Sequence, residues 1–393
     1  MPYIKRILIL TSDFGFGHRS SANSIAKAIQ LQYPNTIEPV IINPLLDEPS
    51  LFLFQKAEHD YDKTVRDYAS FYRFCYEVSD TRPASSFVES TLTIALRKSI
   101  RHIIYKNQPD IIISTNQLFN APVGSVLNNM RVPPPFFTVV TDLADVHKLW
   151  FNTNPNRFFV ATDYVKNKAM ENGIPSRRII VSGIPVDPEF DTIRQSKEDI
   201  RKHLNLNPSL NTILVVGSKR VGRILEYLEV LNNITLPFQV VVIAGGDQTL
   251  YETLTQKDWD FPVCIKDYVT NMAEWMHAAD ILVTKAGGLI LSEGMAAGLP
   301  IILIDHLAGQ EEGNVKFILD NHVGLAADNP DYFITIINSW LSKDQTSVNI
   351  YSDNSKRLGH SDAAFVIANA CWKGAKYNSS QITIRQRPWH VFK

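Results

Sequence analysis

The strongest constraint on this chain is one alternation run through twice. A short β-branched stretch is followed by a helical pattern, and the unit repeats. "RILIL" precedes "SSANSIAKAIQLQY", "DIIIST" precedes "NAPVGSVLNNM", and "FFTVVTDL" and "RFFVAT" follow, the latter before "DYVKNKAMENG". "IIVSG" then leads into "IPVDPEF". Nearly continuous apolar strands alternating with helices imply a parallel sheet covered on both faces. The rhythm breaks at 187–211, a polar stretch with one helix opened by Ser196 and Asp199 in capping-box-like spacing. A second series then begins with "TILVVGS", "FQVVVIAG", "PVCIKDYV", "DILVTKAGG" and "LPIILID". The reading is α/β: two doubly wound, Rossmann-like domains facing across a cleft at the C-terminal ends of their strands, where open α/β sheets bind ligands. The expected limits are 1–190 and 191–376, with the last helix free to pack back on the first domain and a tail over 377–393.

Composition excludes several classes. The 393 residues are 45% hydrophobic and 20% charged, enough apolar material for two cores. A net charge of −1 gives no pull towards nucleic acid, so no such partner is expected. Cys75, Cys264 and Cys371 lie far apart and fit a reducing compartment. No stretch is long and apolar enough to span a bilayer or form a signal-peptide core, so a cytoplasmic protein is expected, with contact to a membrane surface left open. The aromatic-rich segment over 50–105 reads either as helices packed on the first sheet or as a surface that meets lipid. The tail "SSQITIRQRPWHVFK" mixes basic and aromatic residues, which suits a membrane interface and equally a plain surface tail.

Two motifs carry chemistry. "TSDFGFGHRSSA" follows the first strand. Gly15 and Gly17 permit a tight turn, and the next helix offers unpaired N–H groups and a positive dipole to a ligand's oxygens. His18 would stand at the cleft rim as a near-neutral base, with Arg19 beside it. No GK[ST] follows, so this is not a phosphate loop of the Walker type. The "DFG" triplet lacks the partners that a kinase needs. The second motif is "TKAGGLILSEGMAAGLPIILIDHLAGQEEGN", residues 284–314. Lys285, Ala286, Gly287 and Gly288 form a turn into a helix, an anion seat suited to a diphosphate. Glu293 on that helix can accept two hydrogen bonds from a ribose diol. Gln310, Glu311 and Asn314 carry amides and carboxylates suited to sugar hydroxyls.

The 284–314 motif resembles the donor site of glycosyltransferase family 28, whose members have the two-domain GT-B fold. The monogalactosyldiacylglycerol synthases and processive diacylglycerol glucosyltransferases are the nearest branches. "GFGHRSSANSIAKAI" resembles their first glycine-rich loop, "TVVTDLADVHKLWF" their "TD…H…WF" stretch, and "VSGIPVDPEF" the segment before their second domain. The resemblance covers nearly the whole chain. It implies transfer of galactose or glucose, with inversion, from a UDP-hexose to the hydroxyl of a lipid, diacylglycerol first among candidates. It also implies a peripheral place on the cytoplasmic face of the membrane. Glu293 would bind the uridine ribose, Gln310 and Glu311 the donor hexose, and the backbone near Val269 the uracil. His18 would sit beside the acceptor hydroxyl, with Gly15, Gly17 and Arg19 on the acceptor side.

Two departures stand out. Phe16 occupies the middle of a loop that usually carries three consecutive glycines. The loop opening the second domain is "VVGSKRVGR", so Gly217, Ser218, Lys219 and Arg220 replace a glycine-rich stretch, and its two cations can neutralise a diphosphate. No cofactor is expected and no metal is demanded, because helix ends and cations can stabilise the leaving group and no DxD-type motif sits in a suitable loop. His18 is the first choice of base, with Asp142 and His147 as alternatives. A UDP-sugar epimerase and a non-catalytic nucleotide-sugar binder are the competing classes.

Overall fold

The computed structural model describes residues 4–13, 16–46, 80, 82–218, 221, 223–307, 309–342 and 346–382. The chain divides into two compact units. One runs to Pro188 and resumes at Asp362; the other spans Glu189–Ser361.

In the first unit, strands β1 (Lys5–Leu10), β2 (Ile37–Ile42), β3 (Ile111–Ser114), β4 (Phe136–Val139), β5 (Arg157–Val160) and β6 (Ile179–Val181) form one sheet in the order β2-β1-β3-β4-β5-β6. Every neighbouring pair is parallel. Alternate residues of β1 feed opposite faces, as a period of two requires. Ile7 and Ile9 pack with helix α1 (Phe16–Gln32) and with the closing helix of the described chain. Leu8 and Leu10 pack with α2 (Arg82–Asn107) and α3 (Asn120–Leu127). α4 (Asp163–Glu171) starts on Thr162, whose hydroxyl accepts from the Val165 N–H. It ends at Gly173, whose φ of 90° lets the Ile174 N–H reach the Ala169 carbonyl at 3.0 Å and the Gly173 N–H reach that of Met170 at 3.0 Å.

The second unit opens with α5 (Glu189–Thr192) and α6 (Lys197–His203). Ser196 caps α6, accepting from the Asp199 N–H and donating to its carboxylate. The polar stretch is not a loose linker: buried Arg201 donates to the Ala278 carbonyl and pairs with Asp280, which also receives Lys197. Strands β7 (Asn211–Val216), β8 (Phe238–Ile243), β9 (Val263–Lys266), β10 (Ile281–Lys285), β11 (Ile301–Asp305) and β12 (Gly324–Ala326) follow. They form a parallel sheet in the order β12-β11-β10-β7-β8-β9. Its helices are α7 (Ile224–Glu229), α8 (Gln248–Thr255), α9 (Met272–Ala278), α10 (Gly288–Ala296), α11 (Glu312–Asp320), α12 (Pro330–Leu341) and α13 (Thr346–Leu358). α7 is short: after Glu229 it tightens into a 3-10 turn over Val230–Asn233, whose paired asparagines favour turns over helix.

α14 (Ala363–Ile382) belongs to the first unit and packs on α1. Tyr33 stacks on Trp372 at 5.2 Å between ring centroids, and Lys5 donates to the Ala375 carbonyl. The helix runs past 376 into the first residues of the expected tail; 383–393 lie outside the described residues, as do 47–79 of the aromatic-rich segment.

Candidate active site

In the first unit, the strand order reverses between β1 and β3, and that switch point is where the candidate base lies. His18 is the third residue of α1. Its Nδ1 lies 2.9 Å from the Thr115 carbonyl and 2.7 Å from the Thr141 hydroxyl. A carbonyl can only accept, so the proton sits on Nδ1 and Nε2 keeps its lone pair. Among the described residues Nε2 has no hydrogen-bond partner. The Thr115 hydroxyl returns a bond to the His18 carbonyl at 3.2 Å, so ring and backbone are clamped together. Burial lowers the imidazole pKa to about 4, with the Thr115 contact opposing it. The ring is therefore neutral at physiological pH and available to take a proton.

Below it, the ends of the central strands are tied by side chains. The Asn116 amide donates to the Ser12 hydroxyl at 2.6 Å, joining the exits of β1 and β3. Fully buried Trp150 lies 6.2 Å from the His18 ring and donates its indole N–H to Asp142 at 2.6 Å. Burial pushes the Asp142 carboxyl up to about 6, opposed by the indole bond and assisted by the charge of Asp145. His147 is differently employed. Buried, it caps the 3-10 turn Lys148–Phe151 by accepting from the Leu149 N–H, and its ring lies 3.8 Å from Asp80. Burial lowers its pKa, Asp80 raises it and Lys148 lowers it again. An imidazole whose Nδ1 is committed to a cap is a structural histidine in this arrangement. Arg19 is also engaged: its guanidinium grips Asp13 through two bonds, at 2.7 and 3.0 Å, and Asn43 donates to the same carboxylate. Those contacts, Arg19 first, hold the Asp13 pKa below its ordinary range despite burial. Gly17 lies inside the first turn of α1 rather than in the preceding loop, because the helix already begins at Phe16. Gly15 lies outside the described residues.

In the second unit, the order reverses between β7 and β10. Two glycine turns leave the sheet there side by side, tied by the Thr284 hydroxyl donating to the Val216 carbonyl at 3.3 Å. Gly217 follows β7. A Cβ on Gly245, whose φ is +68°, would stand 2.3 Å from the Gly217 carbonyl oxygen, so that approach requires glycine. Ser218 follows Gly217; Lys219 and Arg220 lie outside the described residues. Gly287 caps α10 and Gly288 is its first residue, presenting the helix N-terminus. Glu293 lies buried on the same helix.

Glu311 and Asn314 stand differently from expectation. Glu311 forms a buried ion pair with Lys285, and its second oxygen accepts the Leu307 N–H at 2.8 Å. The Asn314 amide donates to the Ala286 carbonyl at 2.9 Å. Both therefore strut the 286–288 turn against the loop after β11. The Asn314 Oδ1 is buried without a partner among the described residues. Gln310 is half-buried beside them. Val269 lies on the loop after β9, an edge strand two places from β7. Sequence reasoning passed over Thr115, Thr141, Trp150, Ser12 and Asn116. The signal for four of them was legible: hydroxyl or amide residues placed straight after the apolar runs "ILIL", "IIIS" and "TVV".

Comparison with known proteins decides the family. Residues 18–186 match the family model for monogalactosyldiacylglycerol (MGDG) synthase, and 212–364 match the glycosyltransferase family 28 C-terminal domain. A probable chloroplastic monogalactosyldiacylglycerol synthase of Nicotiana tabacum is 32% identical over 93% of this chain and 70% of its own length. The chain belongs to the monogalactosyldiacylglycerol synthase family. Monogalactosyldiacylglycerol synthase 2 of Arabidopsis thaliana is 30% identical over 92% of this chain and 79% of its own. Among solved structures, Acinetobacter baumannii MurG aligns at a TM-score of 0.60 and 12% identity, covering 94% of this chain and 99% of that one. A UDP-GlcNAc 2-epimerase of Neisseria meningitidis bound to UDP-GlcNAc also aligns at 0.60, with 14% identity over 94% and 100%. These structural likenesses establish the GT-B fold and do not separate transferase from epimerase. The sequence relatives do, and this member of the synthase family is a glycosyltransferase.

Proposed function

We propose that this synthase-family member transfers a hexose, galactose first, from its UDP conjugate to the free hydroxyl of diacylglycerol. The observation that carries the reading is a continuous likeness to proteins named for that product, from His18 through the second glycine motif. The side chains supply a consistent chemistry. The acceptor hydroxyl gives its proton to the His18 Nε2 while its oxygen bonds to the anomeric carbon. The bond from that carbon to the β-phosphate oxygen breaks, and its electron pair leaves on UDP. Attack from the opposite face inverts the centre. The α10 N-terminus at Gly287 and Gly288, the Gly217–Ser218 turn and the cations Lys219 and Arg220 would hold the diphosphate. Glu293 would hold the ribose, Gln310 the hexose, and the backbone near Val269 the base. Charge neutralisation by these groups is the reason to expect full activity in excess EDTA; loss restored by magnesium or manganese would redraw the phosphate site. No helix among the described residues is long and apolar enough to cross a membrane. Contact with the bilayer would then be peripheral, on the cytoplasmic face.

The experiment is incubation of the purified protein with radiolabelled UDP-galactose or UDP-glucose, with and without detergent-dispersed diacylglycerol. Label should pass into the organic phase only when the acceptor is present. Conversion of the nucleotide sugar alone, without labelled lipid, would replace this reading by the epimerase.

A further inference from the structure

Helix α2 buries one face and leaves the opposite face chemically unusual. Leu92, Leu96, Ile100, Ile103 and Ile104 pack into the first unit's core. On the outer side Phe87 is 73% exposed and Ile94 82% exposed. At 100° per residue, positions 87, 91, 94, 98, 101 and 105 fall within an arc of about 80°. The stripe therefore reads Phe87, Thr91, Ile94, Lys98, Arg101, Tyr105, apolar at its N-terminal half and cationic at its C-terminal half. The hydroxyls of the apolar half are turned inward: Ser90 donates to the Ser86 carbonyl at 2.9 Å and Thr91 to that of Phe87 at 3.0 Å. That satisfies them without water. The Arg101 guanidinium lies 5.5 Å from the Tyr105 ring centroid.

Charge is as one-sided as hydropathy. Exposed Arg97, Lys98, Arg101, His102 and Lys106 all lie on the last three turns, and none of them pairs with a carboxylate among the described residues. Glu89 is the helix's single acidic residue. It is half-buried, accepts from the Asn152 amide at 3.2 Å, and has its pKa raised by burial. The outer face thus offers apolar side chains and cations with no opposing acid among the described residues.

We infer that this stripe is the surface by which the protein docks on a bilayer containing anionic lipid, Phe87 and Ile94 entering the acyl boundary and Lys98 and Arg101 meeting headgroup phosphates. An amphipathic helix binds an interface by that combination of apolar burial and attraction to anionic lipid. The inference rests on the lipid-acceptor reading above and gives it a place on the molecule.

The test uses the full chain and three proteins: wild type, Phe87→Ser with Ile94→Ser, and Lys98→Gln with Arg101→Gln. All four positions are exposed, so folding should survive; unchanged thermal unfolding checks this. Co-sedimentation is measured with phosphatidylcholine vesicles and with vesicles carrying 30 mol% phosphatidylglycerol. Each cation near such a surface contributes roughly fivefold, so the charge variant should lose about 25-fold on anionic vesicles and little on neutral ones. The apolar variant should lose about tenfold or more on both. Transfer to a detergent-dispersed acceptor should be unchanged in both, which separates docking from catalysis: a wild type inactive on that acceptor sinks the functional reading, while the vesicle arm still judges the surface. Folded variants that bind both vesicles like wild type overturn the inference. So does wild type that elutes as a dimer and becomes a monomer in the apolar variant, because the stripe then covers a second copy of the chain.

Discussion

Lowering the pH should separate the two surviving candidates for the base. Burial takes His18 down to about 4 and Asp142 up to about 6. A base acts only when unprotonated, so each would impose an acid limb on kcat/KM at its own pKa. At pH 5 roughly nine-tenths of His18 would be free base, but only about one-tenth of Asp142 would be ionised, a tenfold contrast. We expect His18 to be that base: among the described residues its Nε2 has no partner, whereas one Asp142 oxygen already accepts the Trp150 indole N–H. We expect a plateau to about pH 5 with the limb near 4. His18→Ala should lower kcat at saturating donor and acceptor by about a hundredfold or more and leave UDP affinity near wild type. Stability must be followed in parallel. A histidine with a lowered folded-state pKa stabilises the fold fully above its ordinary value near 6.5 and loses that contribution as pH falls towards 4, by up to about 3 kcal/mol. Asp142 works the other way, costing the folded state more as pH rises from about 4 to 6. Circular dichroism at each pH shows where rates report catalysis. A limb near pH 6 that Asp142→Asn removes, with His18→Ala losing less than about fivefold, would refute the assignment.

Three further outcomes follow from the second unit. Lys285→Ala strands the Glu311 carboxylate in a buried place and should cost about 3–5 kcal/mol in denaturant unfolding, with Lys285→Met plus Glu311→Gln recovering most of it; a single-variant cost below about 1 kcal/mol would mean the pair is not structural. Glu293→Ala should weaken UDP binding by about 1.5–3 kcal/mol by calorimetric titration, the scale of hydrogen bonds to a charged group; an unchanged affinity in a folded variant removes it from the ribose site. Gly245→Ala forces a Cβ against the Gly217 carbonyl at positive φ and should lower stability by more than about 1 kcal/mol, read as a falling thermal midpoint.

Much of the fold is legible because strand runs such as "ILVTK" and "IILID" are apolar on both faces, which only a sheet covered by helices accommodates. The short strand β12, "GLA", carries too little apolar pattern to be read, and β2 contains Pro39, which argues against a strand unless it lies at an edge, as it does here. For the site, glycines and His18 were legible as types because they follow strands directly. Their company was not. The Thr115 carbonyl that fixes the His18 tautomer is 97 residues away in sequence, and the Lys285–Glu311 pair spans 26. Composition makes Glu311 a plausible sugar ligand; only packing shows that its carboxylate already faces a lysine. His147 likewise reads as a base until the Leu149 N–H is seen on its ring.

Transfer of a hexose to a lipid hydroxyl with inversion leaves its signature in the product. The most direct measurement is proton NMR of the lipid product made from UDP-α-galactose, or UDP-α-glucose, and dispersed diacylglycerol. A new glycolipid should appear whose anomeric proton shows the large coupling of a β linkage. An α-linked glycolipid, or an altered nucleotide sugar with no glycolipid, would contradict inverting transfer.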